Sequence, residues 1–166
     1  MREPDIDAAV QADLVALLTR HAASDGTHAT AVPALHLIRA SAPAPLLPAL
    51  YEPGLVLVVQ GRKQAVLGPA RLTYDPLHCL VVSVTMLPLA QIVEASPERP
   101  YLCVRLSVAP GELAALLHEV PPAAEGAKPA SGLNVARVSK PLLDALQRDR
   151  KSTRLNSSHE WISRMP

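Results

Sequence analysis

Hydrophobic residues recur with helical spacing near the start of the chain. Within residues 6–22, Ile6, Val10, Leu14, Leu17 and Leu18 share one face while Asp7, Gln11 and Arg20 fall elsewhere, which predicts an amphipathic helix. Ser24-Asp25-Gly26 ends it with turn-forming residues. From Val32 the period changes. ALHLIR (34–39) alternates, APAPLLP (42–48) is a stiff connector, and LVLVVQ (55–60) is a continuous β-forming run that predicts a buried strand. Gly61-Arg62-Lys63 reads as a turn that brings QAVLG (64–68) back as the partner of that strand. ARLTYD (70–75), CLVVSV (79–84), LAQIVEA (89–95) and YLCVRLSV (101–108) follow, punctuated by Pro76, Pro88, Pro97 and Pro100. Short strands with regular turn signals argue for a sandwich or a barrel. The expected architecture is mainly β: an N-terminal helix, a compact barrel of about seven strands, and helices trailing from its C-terminal side.

Beyond Val108, Pro110-Gly111-Glu112 opens a predicted helix over 111–119 with Leu113, Leu116 and Leu117 as its apolar stripe. PPAAEGAKPASG (121–132) has the composition of a flexible linker. Ser139 is placed to cap a further helix beginning KPLLDALQR, with Pro141 in its first turn. The expected organisation is therefore a folded domain over 1–120, and a linker with the start of a truncated helix over 121–148. The last stretch, 149–166, turns abruptly polar and loses periodicity. Asp149 to His159 back-translate into a widely used sequencing-library adapter, so this tail is read as an assembly artefact and Trp161 carries no functional weight.

Composition narrows the picture. The chain is 49% hydrophobic but only 2% aromatic, with three tyrosines and no phenylalanine, so its core must be mostly aliphatic. Without residues 149–166 it holds 12 basic and 13 acidic side chains, which lacks the basic footprint of a nucleic-acid binder. Cys79 and Cys103 lie in apolar runs with no paired spacing and read as buried, reduced thiols. No signal peptide and no membrane-length apolar run is present, and a cytoplasmic location is expected.

Enzyme chemistry finds little support. His21, His28, His36, His78 and His118 are nowhere closer than seven residues, so no His-x-His metal pair exists and no metal is expected. There is no Gly-x-Ser-x-Gly elbow, and Gly54, Gly61 and Gly68 form no phosphate-binding fingerprint. Catalytic residues are therefore not assigned. For binding a small molecule, the informative residues are polar groups interrupting apolar strands. His36, Gln60, Tyr74 and Arg105 qualify. Each also has an ordinary reading: His36 and Arg105 facing solvent, Gln60 exposed or bonding its turn, Tyr74 a core ring with its hydroxyl at the rim. Arg62 and Lys63 read as solvated turn charges or as a contact surface.

Tyr51-Glu52-Pro53-Gly54, LVLVVQGRKQAVLG (55–68), Tyr74-Asp75-Pro76, Ser83-Val84 and QIVEASPERPYL (91–102) together carry a resemblance. In order and spacing they resemble the N-terminal domain of AraC-type bacterial transcription regulators, over roughly residues 10–120. Leu77, where a glycine is expected, and the irregular TMLP (85–88) depart from the pattern. The resemblance implies a cupin-like β-barrel that senses a small-molecule effector without a cofactor. It also implies that DNA is contacted only through a C-terminal helix-turn-helix domain, expected to be missing here and encoded beyond Arg148. A homodimer is left open, and no membrane partner is expected. The alternatives are a stand-alone cupin-like enzyme and a passive dimerisation module.

Overall fold

The amphipathic N-terminal run forms α1, Glu3–His21, in a computed structural model that describes residues 3–76, 78–109, 111–112 and 132–138. Leu14 and Leu18 on its predicted apolar face are buried, with Val10 and Val15 packed beside them. Gln11 Nε2 donates to the Val59 carbonyl at 3.0 Å and fixes the helix along one strand. At its C-terminus Arg39 donates to the Ala22 carbonyl at 3.1 Å. A cation at this negative end of the helix contributes about 0.3–1 kcal/mol. Asp25 continues the clasp, accepting from the Ser41 N–H at 2.9 Å and the Ser41 hydroxyl at 2.7 Å.

Ten strands form among the described residues: β1 Gly26–Ala29, β2 Leu35–Ala40, β3 Leu47–Pro48, β4 Gly54–Gln60, β5 Arg62–Leu67, β6 Ala70–Tyr74, β7 His78–Val82, β8 Leu89–Glu94, β9 Tyr101–Ser107 and β10 Leu133–Arg137. They build two antiparallel sheets, a six-stranded one in the order β1-β2-β9-β4-β7-β10 and a four-stranded one in the order β3-β8-β5-β6. The chain is mainly β, as its pattern predicts.

The expected closed barrel is not what forms. Among the described residues no ladder joins the edges of the two sheets, and the chain passes between them instead by bends and bulges. The Tyr51–Met86 bridge and the bond from Ala44 N–H to the Ile92 carbonyl stitch one side of the resulting sandwich. The predicted β4–β5 hairpin is overturned for the same reason. β4 pairs with β7 and β9, whereas β5 pairs with β6 and β8. Gly61 is the crossing point, with φ at 81° and no room for a Cβ beside the Glu94 carbonyl, so only glycine suits the step between sheets.

β1 and β10 were not predicted, and the connector over 42–48 contributes the two-residue β3. All three occupy sheet edges, where pairing to a neighbour decides the conformation more than local pattern does. Gly111 and Glu112 are helical at the predicted start of the helix over 111–119. The rest of that helix, the linker up to residue 131, the helix after Ser139 and the 149–166 tail lie outside the described residues.

The six-stranded sheet has two dry faces. One packs on α1 through Leu37, Leu57, Val59, Leu102 and Val104. The other packs on the four-stranded sheet through Val58, Leu80, Val82, Tyr101 and Cys103, which meet Ala65, Tyr74 and Ala90. Strict alternation along β4, β7 and β9 sends neighbouring residues to opposite faces. Cys79 and Cys103, both buried and free, consequently lie in different cores. Among the described residues no helix is long and apolar enough to cross a membrane.

Candidate functional site

The space between the two sheets opens at one end into a cleft of about 130 Å³. Its walls are Ile38 from β2, Val56 from β4, Val82 from β7, Cys103 and Arg105 from β9 and Lys63 from β5, with Tyr51 beside them. Each position follows from period-2 alternation. On β9, Tyr101, Cys103 and Arg105 point toward the partner sheet while Leu102 and Val104 point toward α1. On β5, Lys63 shares a face with Ala65 and Leu67, both of which pack in the inter-sheet core. Gly54 begins β4 at the cleft wall, where a Cβ would strike the Leu106 carbonyl.

All three tyrosines of the chain converge here. The Tyr51 and Tyr74 hydroxyls share a hydrogen bond of 2.8 Å, and the Lys63 ammonium stands 5.4 Å from the centre of the Tyr51 ring, within cation–π range. Tyr101 is fully buried and its hydroxyl has no hydrogen-bond partner; the Cys103 thiol beside it is a weak substitute. Burial, the dominant cause, holds the Tyr74 and Tyr101 phenols well above their ordinary range, so both stay neutral. Burial likewise pushes the Cys103 thiol up, while its contact with Tyr101 and the nearby Lys63 and Arg105 charges pull the other way.

The four residues singled out in the sequence separate clearly. Arg105 lines the cleft, and its Nε is buried without a hydrogen-bond partner. His36 pairs with Arg105 across β2 and β9. It lies on the same face as Ile38 and Ala40, with a buried, unpartnered Nδ1. The solvent-facing reading of both is thereby replaced, because β2 and β9 are interior strands of a sheet covered on both sides. Tyr74 is the floor behind Tyr51, its hydroxyl buried rather than at a rim. Gln60 stands apart, donating to the Pro100 carbonyl at 2.8 Å and closing the irregular end of the β4–β9 ladder.

Lys63 was missed as a cleft residue. The signal for it was present: extending the alternation of Ala65 and Leu67 back by one step puts Lys63 inside. Arg62 does behave as a surface charge, within 4.0 Å of Asp75 and 3.8 Å of Glu94. Among the described residues no three His, Cys, Asp or Glu side chains converge as a metal site.

A family profile described as the AraC-type transcriptional regulator N-terminus matches residues 31–153. The chain belongs to this family. The match spans β2 through β10, so every strand of the two sheets except β1, and with them the cleft, falls inside the AraC-type regulatory domain. It also runs past residue 120, the predicted end of the domain, and takes in β10, which completes the larger sheet. No curated protein matches the chain.

Proposed function

We propose that this AraC-type N-terminal domain is the effector-sensing part of a cytoplasmic transcription regulator, with the inter-sheet cleft as its ligand site. The observation that supports this reading most is the placement of polar groups. Lys63, Arg105 and Tyr51, the last bonded to the buried Tyr74, line the open end of a largely apolar sandwich, the arrangement by which binding pockets orient a small molecule. The sandwich is in this reading the cupin-like sensor of the family, and it is not an enzyme.

Sensing requires a ligand that binds one arrangement of the domain better than another, because only differential affinity shifts a population. The flanking α1 and the segment after β9 are the parts such a ligand would bias. DNA contact falls to a separate helix-turn-helix domain of the parent regulator. The body of this chain has too balanced a charge to hold DNA by itself.

The test is a thermal-shift survey of the full chain with sugars, amides, amines and carboxylic acids. A ligand at about 100 times its Kd adds about 2.7 kcal/mol, which moves the Tm of a domain this size by about 5–10 °C. The shift should vanish in Ala49→Trp, which places a large ring at a half-buried position of the cleft wall. Stabilisation that survives this substitution would move the site elsewhere. A tight dimer by sedimentation with no response to any class would favour the passive dimerisation module, whereas a ligand-responsive homodimer is compatible with sensing.

A further inference from the structure

We propose that the cleft selects a small organic carboxylate, held by Arg105 and Lys63 with its apolar body between Ile38, Val56 and Val82. This rests on the sensing reading above and specifies its ligand class.

The two cations come from opposite sheets, Arg105 from β9 and Lys63 from β5, and both line the same cleft. Among the described residues neither forms an ion pair, although Arg39 and Arg62 both find carboxylates nearby. The one acidic residue lining the cleft, Glu52, is solvent-exposed and lies beyond ion-pair distance of either cation. Inward-facing cations without an anionic partner are costly, and buried donors are normally matched by protein, water or ligand.

The unpartnered polar atoms are concentrated on one surface. His36 Nδ1, Tyr101 Oη and Arg105 Nε are three of the four buried side-chain polar atoms without a hydrogen-bond partner among the described residues. All three lie on the inter-sheet face of β2 and β9, and His36 and Arg105 are in direct register. The fourth, Arg39 Nε, belongs to a side chain already bonded to Ala22 and close to Asp25.

Guanidinium and ammonium groups recognise carboxylates by charge-assisted hydrogen bonds. The mainly aliphatic walls demand an apolar remainder rather than a second polar head. A volume of about 130 Å³ is close to the roughly 150 Å³ of a dry cavity that admits benzene. The ligand body is therefore a short chain or a single ring.

The experiment uses the full chain labelled with 3-fluorotyrosine, whose three tyrosine signals all report on this region. Butyrate, hexanoate and cyclohexanecarboxylate are titrated against hexanamide, hexylamine and inorganic phosphate, with Tm measured in parallel. Hexanoate or cyclohexanecarboxylate should raise Tm and shift the Tyr51 signal most, with Tyr74 next. Arg105→Gln and Lys63→Gln should each weaken binding by about tenfold or more, the scale of one charge-assisted bond. Arg62→Gln, at an exposed position, should not. Because Arg105→Gln can perturb the sheet, Lys63→Gln and the fluorine shifts of the unsubstituted protein decide the matter independently. Equal binding of hexanamide, preference for hexylamine, or an identical response to phosphate overturns the carboxylate assignment while leaving a sensing cleft in place. A protein that ignores all three acids also overturns it, and the broader survey then stands or falls separately.

Discussion

The two faces of the six-stranded sheet invite comparison. The face against α1 is closed by aliphatic side chains and Cys79. The face against the smaller sheet carries Tyr101, Cys103, Arg105 and His36, and meets Lys63 and Tyr74 from that sheet and Tyr51 beside it. Within the six-stranded sheet both faces are built from alternate residues of the same strands, so neither backbone nor strand propensity distinguishes them. The helix side holds the protein together by uniform packing. The inter-sheet side gives up some of that packing to keep polar groups in a partly dry space, where their interactions are stronger. A stabilising core and a candidate binding wall thus occupy opposite surfaces of one sheet.

The largest effect that separates them should come from alkali. Tyr74, Tyr101 and Cys103 on the inter-sheet side, and Cys79 on the helix side, are all held above their ordinary values, 10.0 for tyrosine and 9.0 for cysteine, chiefly by burial. A group whose pKa is raised by folding contributes fully below its unfolded value, and that contribution is lost as pH rises past it. Stability should therefore hold to about pH 9 and fall steeply above about pH 10. The tyrosinate absorbance of Tyr74 and Tyr101 should appear together with the loss of β-sheet circular dichroism. Ionisation of Tyr74 or Tyr101 well ahead of unfolding would show that these two rings are not packed as described.

Leu18→Ala should follow in size. Leu18 is 1% exposed in the helix-side core, and removing such a side chain costs about 2–5 kcal/mol, measurable by urea titration. Tyr74→Phe strands the Tyr51 hydroxyl and should cost about 1–3 kcal/mol. Arg105→Met should behave oppositely. Replacing an unpartnered, inward-facing cation by an apolar chain of similar length should leave stability unchanged or raise it by about 1 kcal/mol. A loss as large as that of Leu18→Ala would mean that Arg105 is structural and would erase the contrast between the faces.

The smallest effect lies outside both cores. The two hydrogen bonds from Ser41, and then the Arg39 charge, hold the Asp25 carboxyl below its ordinary 3.8. A depressed carboxyl contributes above its unfolded pKa, and the contribution disappears as pH falls through the folded one. Asp25→Asn should thus lower stability slightly near neutrality, where the ionised carboxylate contributes, and flatten the acid limb of the stability curve below about pH 4.

Much of the fold was legible in the chain. The change from helical to alternating period at Val32, and the strands at 34–39, 55–60, 70–75, 79–84, 89–95 and 101–108, correspond to observed elements because each buries a face large enough to mark its own sequence. The edge strands β1, β3 and β10 left no such mark, since half of their neighbours are solvent. At the site, Arg105 and His36 were visible as polar interruptions, but whether they faced water depended on a covering sheet built from other segments of the chain. Lys63 was hidden by its closeness to Gly61. A charged residue close after a glycine resembles a turn, and that likeness masks the alternation that runs back to it from Leu67 and Ala65.

By itself the sequence determined the secondary structure of the interior strands, the helix and its apolar stripe, and the regulator family. Those properties depend on residues within a few positions of one another, or on ordered motifs that survive without coordinates. The tertiary structure alone decided that β4 and β5 belong to different sheets, that the barrel stays open as a sandwich, and that Tyr51, Lys63 and Arg105 share one cleft with Tyr74 bonded behind it. Alternation specifies that a side chain leaves a strand on one side or the other. What lies on that side is set by contacts between segments far apart in the chain, and no local period encodes them.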